Sequence, residues 1–494
     1  MGKLSLPTGK IYLLWACILL CLLPFVILSF FSVMAADDFT LWGIIHDHGF
    51  FEGQKWIYFY WEGRPVVSFV AGLFEVTGIV RHYYFLIILL YSFFTWMALL
   101  LLLSCINSRC LGRTFSFTSL LPASLILYIL NLYVMAEIAT GVYWFSSVAV
   151  YQTAFILFLV LAVSMVRRFT GGAERFRGWD LVIILLAILI CGCNEIAAIA
   201  LACCFLLLIG LYIYYRRPIP RVLFLYLGVV LLTGITILLT SGVLSGRTLT
   251  MKGRTGNAGV ILILFGRGLS VFYYVLKEPL LWMCGSCSFV LGLRMSAVLE
   301  PFLHVVRTRR FFIPGLLGIL LVVFGTLAPV LMVTHGSIPE RAINNLTSLS
   351  ALYLLGLAFL SGACRPGLYA AWRHVPGVST VLVGLLSCTL LASYTYKEAW
   401  KNVVTGYFYH AIQVDRQKVL LTARERHQRS ATIIPYAAAL EEKARQFFPH
   451  GIPVTVRELL NDQPAFLYHV NVWELPGNYL YRYYQLDSVV VKQF

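Results

Sequence analysis

Charge is scarce in this chain, and acid is scarcest: only 22 Asp and Glu stand among 494 residues, and charged residues of all kinds make up 12%. Soluble globular domains are roughly a quarter charged and about half apolar. With 60% hydrophobic residues, this sequence belongs in lipid. There is no internal repeat and no low-complexity segment. No cysteine follows Cys388, so the segment after it holds no disulfide. Most of the twelve cysteines lie within or at the ends of apolar runs. Cys284 and Cys287 form a CxxC with no second pair and no His at zinc spacing, which reads as small apolar packing. The net charge of +16 would suit nucleic acid if Lys and Arg gathered on one soluble face. They sit instead in short connections between apolar runs, the positive-inside pattern of a membrane protein, and nucleic acid is excluded.

What is present is long hydrophobic runs. A transmembrane helix needs about 20 apolar residues. Runs at 11–34, 83–106, 117–136, 145–166, 196–215, 221–243, 279–299, 311–333, 345–362 and 375–394, with a shorter one at 180–193, predict eleven crossings. The first run follows Lys3 and Lys10 as a signal peptide would, but it exceeds the ~7–15 residues of a signal core. It reads as an uncleaved first helix with a cytoplasmic N-terminus. The connections carrying Arg109/Arg113, Arg167/Arg168, Arg216/Arg217, Arg307/Arg309/Arg310 and Arg365/Arg373 then all fall on the cytoplasmic side. The tail after Tyr394 falls outside. Two further apolar stretches, 66–80 with Glu75 and 257–276 with Arg267, carry a charge in mid-run and are expected to lie along the outer surface. From 396 to 494 charge mixes with helical periodicity and strand-like runs, which predicts a small external α+β domain after a membrane domain over 1–395.

This topology sorts the acids. Of thirteen Asp and Glu before the tail, ten fall on the outer face, six of them in a first outer loop spanning 35–82. That loop opens with adjacent Asp37 and Asp38. Neighbouring side chains cannot point one way on a helix or strand, so one carboxylate can do chemistry while the other holds structure. Such a group takes a proton from a hydroxyl or binds a divalent metal; the plainer alternative is a helix cap. His46, Asp47 and His48 follow as candidate metal ligands beside Asp38, and "YWEGRP" adds Glu62 and Arg64. A second outer turn, "EIATGVYWFSSVAVYQ", offers Glu137, Tyr143 and Trp144; aromatic faces edged with polar groups suit a sugar, although an interfacial aromatic belt explains Trp144 equally well. Asn194-Glu195 sit in a turn that the short crossing places below the surface, where an acid needs a partner. Arg247, Lys252, Arg254 and Arg341 are outer cations that run against the positive-inside trend and suit phosphate, of a lipid headgroup or of a lipid-linked substrate.

The order of "ADDF", "YWEGRP", "GVYWFSSVAVY", "NEIA" and "PERA" resembles the GT-C superfamily of membrane glycosyltransferases, over roughly residues 10 to 395. The resemblance implies an all-α polytopic fold in the cytoplasmic membrane, and transfer of a hexosyl or pentosyl group from a polyprenyl-phosphate donor. The acceptor would be a glycan, lipid or protein on the outer face. It implies that Asp37 or Asp38 acts as base or metal ligand and that Arg341, helped by Arg254, grips the donor phosphate. Some members hold a divalent metal, Mg or Mn, through a DxD pattern; this chain has DD and DxH in its place. A transporter or flippase, and a polymerase or ligase of envelope polysaccharide, are the rival readings. A transporter's polar sites belong near the midplane in matching halves, which this sequence does not show.

Overall fold

The computed structural model describes residues 8–35, 37–61, 63–170, 178–240, 257–296, 298–299, 312–333, 338–365, 368, 378–449, 452–453, 457 and 483–491. Runs of apolar residues with few breakers coil into helices because lipid leaves backbone groups no partner but the chain itself. Among the described residues, seven helices are long and apolar enough to cross a membrane. These spans lie in α1 (Thr8–Phe31), α5 (Tyr84–Arg109), α6 (Phe117–Val134), α7 (Phe145–Thr170), α9 (Glu195–Tyr214), α13 (Phe312–Val333) and α14 (Asn344–Ala363), the last together with the 3-10 turn Glu340–Ile343 before it. Four of the expected crossings are shorter apolar helices or have a shorter apolar span: α8 (Gly178–Cys191), α10 (Arg221–Thr240), α12 (Pro279–Met295) and α15 (Val378–Ala392). The chain is therefore an all-α polytopic membrane protein.

The first loop folds into α2 (Asp37–Trp56), a π turn over Ile57–Trp61, α3 (Pro65–Val76) and α4 (Ile79–His82). With 12 residues, α3 spans about 18 Å, too short for a core of ~30 Å. Helix α11 (Asn257–Leu276), expected along the outer surface, packs on α13. Phe265 and Phe272 meet Phe324, at mid-length of α13, with tilted rings, so its middle is set against the bundle. Arg267 is tolerated there because it pairs with Glu340 at 3.8 Å. Helices α12 and α14 approach closely at Gly292 and Gly362, where any Cβ would overlap the facing backbone at Phe359 and Phe289. Small residues at such crossings give membrane helices their packing contact.

The tail is anchored to the bundle. Helix α16 (Tyr394–Glu425) begins where Ser393 and Thr395 donate to the two oxygens of buried Glu278, at 2.8 and 3.2 Å. It then passes the end of α1, where Phe31 meets Tyr407 and His410. Beyond it β1 (Ser430–Ile433) pairs in parallel with β2 (Ser488–Val491), beside α17 (Tyr436–Phe447). Tyr483, just before β2, packs on Phe39 and Trp42 of α2. First loop and tail therefore share one end of the bundle. At the other end the buried Arg168–Asp180 pair, 2.7 Å, with Tyr226 donating to Asp180, joins α7, α8 and α10.

Candidate functional site

The acidic turn is a knot of three distant segments. Asp38 is fully buried, and both its oxygens are occupied. Oδ2 accepts from the Ala35 N–H at 3.0 Å and the Tyr84 hydroxyl at 2.9 Å. Oδ1 accepts from the Ser146 N–H at 2.9 Å and from the Ser146 hydroxyl. The Tyr84 oxygen in turn accepts from Phe145 N–H at 2.8 Å. Burial pushes the Asp38 carboxyl up to about 6, and the four donors restrain that rise. Asp37, its neighbour, is only partly buried. The pair thus divides as adjacent side chains must, with Asp38 tied into the fold and Asp37 toward the boundary. Asp38 therefore lies inside the outer turn and not at its wet boundary.

Trp144 links this turn to a cation. Its Nε1–H donates to Ala35 O at 3.2 Å, and the Arg341 guanidinium lies over its ring, 5.1 Å from the centroid. Arg341 is placed by its own backbone, whose N–H donates to Glu137 Oε2 at 3.0 Å. Asn344 holds the same turn from below: its Oδ1 accepts from Ala136 and Glu137 N–H, and its Nδ2 donates to Glu137 O at 2.8 Å. Among the described residues no carboxylate pairs with the Arg341 guanidinium. Tyr143 is buried and donates to Phe25 O at 3.0 Å, so it fastens α1 and does not face a ligand.

A third joint unites two sequence candidates with each other. Arg64 Nη2 pairs with Glu195 at 3.2 Å, both side chains 13% exposed. The Val66 N–H donates to Gly192 O at 3.2 Å beside it. Asn194 caps α9, its Oδ1 accepting from Ala197 N–H at 2.7 Å. Asn194 is therefore a cap, and Glu195 has the partner its depth demands. Between α9 and α10 runs a groove of about 180 Å³, lined by Ala198, Ala202, Val230, Leu231 and Gly234, with Glu195 at its lining.

The metal candidates do not assemble. His46 stacks on Trp42 and sits 3.4 Å from Asp47, His48 stacks on Trp56, and all three polar residues are exposed. The filled oxygens of Asp38 leave it no position for a cation. Among the described residues, no three His, Cys, Asp or Glu are grouped to hold a metal. Glu62, Arg247, Lys252 and Arg254 lie outside the described residues. Tyr84, Asn344, Arg81 and Tyr483 were not singled out from sequence; Ser146 stood out only as a polar member of the aromatic turn, and Glu75 only as an acid inside an apolar run. The chain matches no family model, no curated protein and no solved structure.

Proposed function

We propose that this protein is a membrane glycosyltransferase that moves a hexosyl or pentosyl group from a polyprenyl-phosphate carrier to an acceptor outside the cytoplasmic membrane. The N-terminus lies inside, eleven helices cross, and the first loop and tail are external. The observation that carries the reading is Trp144: one indole touches the acidic turn through Ala35 and the Arg341 guanidinium through its ring face. The turn that carries Asp37 and Asp38, and an Arg with no carboxylate partner among the described residues, thus meet on one indole at one end of the bundle.

In the proposed reaction the acceptor hydroxyl attacks the anomeric carbon, and the bond from that carbon to the phosphate oxygen breaks. Asp37 takes the hydroxyl proton. Polyprenyl phosphate leaves with the bonding electrons, and Arg341 meets the charge that develops on it with a forked pair of donors. The apolar groove along α9 and α10 suits the carrier's hydrocarbon chain, and the Arg64–Glu195 pair stands near its polar end. Asp38, Glu137 and Asn344 hold these groups in place.

The test is turnover by protein in nanodiscs of synthetic polyprenyl-phosphate hexoses and pentoses, with a cell-envelope extract of glycan, lipid and protein supplied as acceptor, scored as released polyprenyl phosphate. Wild type should release it, and Asp37→Asn should not. Equal release by both proteins, or none from any donor, overturns the reading.

A further inference from the structure

We infer that Glu75 and Asp38 form a buried carboxyl pair holding one proton, carried by Glu75, and that this proton keeps the end of the molecule bearing the acidic turn assembled. Two observations point there. Asp38 takes four donors, the environment of an anion. Glu75, on the adjoining face of α3, is 7% exposed, and its Oε1 has no hydrogen-bond partner among the described residues. A buried carboxylate with an empty acceptor costs far more than a protonated carboxyl in the same place.

The surroundings agree. Phe74, next to Glu75, packs its ring on Phe145, beside the residue that donates to Asp38. From α2 the group facing Glu75 is Asp38, from α4 it is Arg81, and from the tail it is Tyr483. On α5, Tyr84 is bound to Asp38. Arg81 is the one cation of the set; it lies over the rings of Trp42 and Tyr483, at 5.7 and 5.0 Å, where it clasps the tail to the first loop. One cation balances one anion. Burial first, and the Asp38 charge second, push the Glu75 carboxyl from 4.5 up to about 9, with Arg81 opposing. A raised acid stabilises the fold through its protonated form. That contribution is complete below 4.5 and is lost as pH rises through about 9.

Glu75 is a positioning residue: it acts on Asp37 and Arg341 by keeping a second negative charge away from the turn beneath them. Only the activity arm of the test rests on the glycosyltransferase reading. In nanodiscs, infrared spectra of wild type should show a protonated-carboxyl stretch at neutral pH. It should shift with isotope-labelled glutamate, vanish as pH passes about 9, and be absent from Glu75→Gln. In the activity arm, Glu75→Gln should lose the alkaline fall in sugar release that wild type shows. A glutamate band that persists in Glu75→Gln overturns the pair, as does a wild type with no such band; isotope labelling of wild type decides even where the variant does not fold. The predicted spectra without any sugar release overturn the glycosyltransferase reading and leave the pair standing.

Discussion

Replacing Asp38 by Ala separates its structural role from a catalytic one. The substitution strands the Ala35 N–H, the Tyr84 hydroxyl, the Ser146 N–H and the Ser146 hydroxyl, all facing one carboxylate. A buried donor without an acceptor costs about 1–3 kcal/mol, so four represent roughly 4–12 kcal/mol. The Tyr84 oxygen still accepts from Phe145 N–H, which prevents the ring from simply turning away. Against this, the variant no longer buries a charge. The carboxyl is lifted from 3.8 to about 6, and at ~1.4 kcal/mol per unit that relief is about 3 kcal/mol at neutral pH. A net loss of several kcal/mol remains, a large share of the ~5–15 kcal/mol typical of folded proteins. Asp38→Asn keeps one carbonyl oxygen and should fall between Ala and wild type. Asp37→Asn should melt with wild type and yet fail to transfer sugar. Thermal unfolding in detergent, followed by circular dichroism beside the release assay, reads all three. If Asp38→Ala melts with wild type and is inactive, Asp38 is the reacting acid and the division of the pair is wrong.

Arg341→Ala should weaken apparent donor affinity roughly tenfold to a hundredfold, the value of a charged hydrogen-bond partner at about 1.5–3 kcal/mol; Arg341→Lys should recover only part, because it lacks the fork. Identical donor titrations for all three proteins would remove Arg341 from the site. Arg64→Ala, which takes the guanidinium away from Glu195 in a largely buried place, should lower the melting temperature more than the double change Arg64→Ala/Glu195→Ala; a single variant no worse than the double would deny the pair its role. Gly362→Leu should drive a side chain into the backbone at Phe289 and part α12 from α14, read as loss of disulfide cross-linking between cysteines placed on the two helices. Single cysteines at His46 and Gln485 should label from the same side of sealed vesicles, since first loop and tail meet at Tyr483; labelling from opposite sides would contradict the packing.

The helical, membrane-spanning character was legible because bilayer thickness imposes run length on the sequence directly. Crossing length was less legible where a run was diluted by small or polar residues, as in α15, whose helix is 15 residues long; the shortness of α8, at 14 residues, was expected from its run at 180–193. The expected surface position of α11 rested on Arg267 as an unpaired charge in mid-run. Its partner Glu340 lies on another element, and hydropathy cannot see a partner. The division between Asp37 and Asp38 was legible from geometry alone, since neighbours on one helix diverge. Which of the two turned inward was not, because that depends on Tyr84 and Ser146, 46 and 108 positions away from Asp38.

The same distance explains why the aromatic turn was ambiguous and Glu75 was missed as a partner. An interfacial belt would place Trp144 by its ring alone, yet its N–H is spent on Ala35 O and its ring face is covered by Arg341. Both bonds join segments that only the folded chain brings together. A chain so poor in acid can bury Asp38 without a cation against it because backbone and hydroxyl donors from three segments converge there, and donors of that kind have no signature in composition. Glu75 follows from the same scarcity of countercharge. With Arg81 the one cation facing the pair among the described residues, only one of two adjoining carboxyls is ionised, and the one with an empty oxygen keeps the proton.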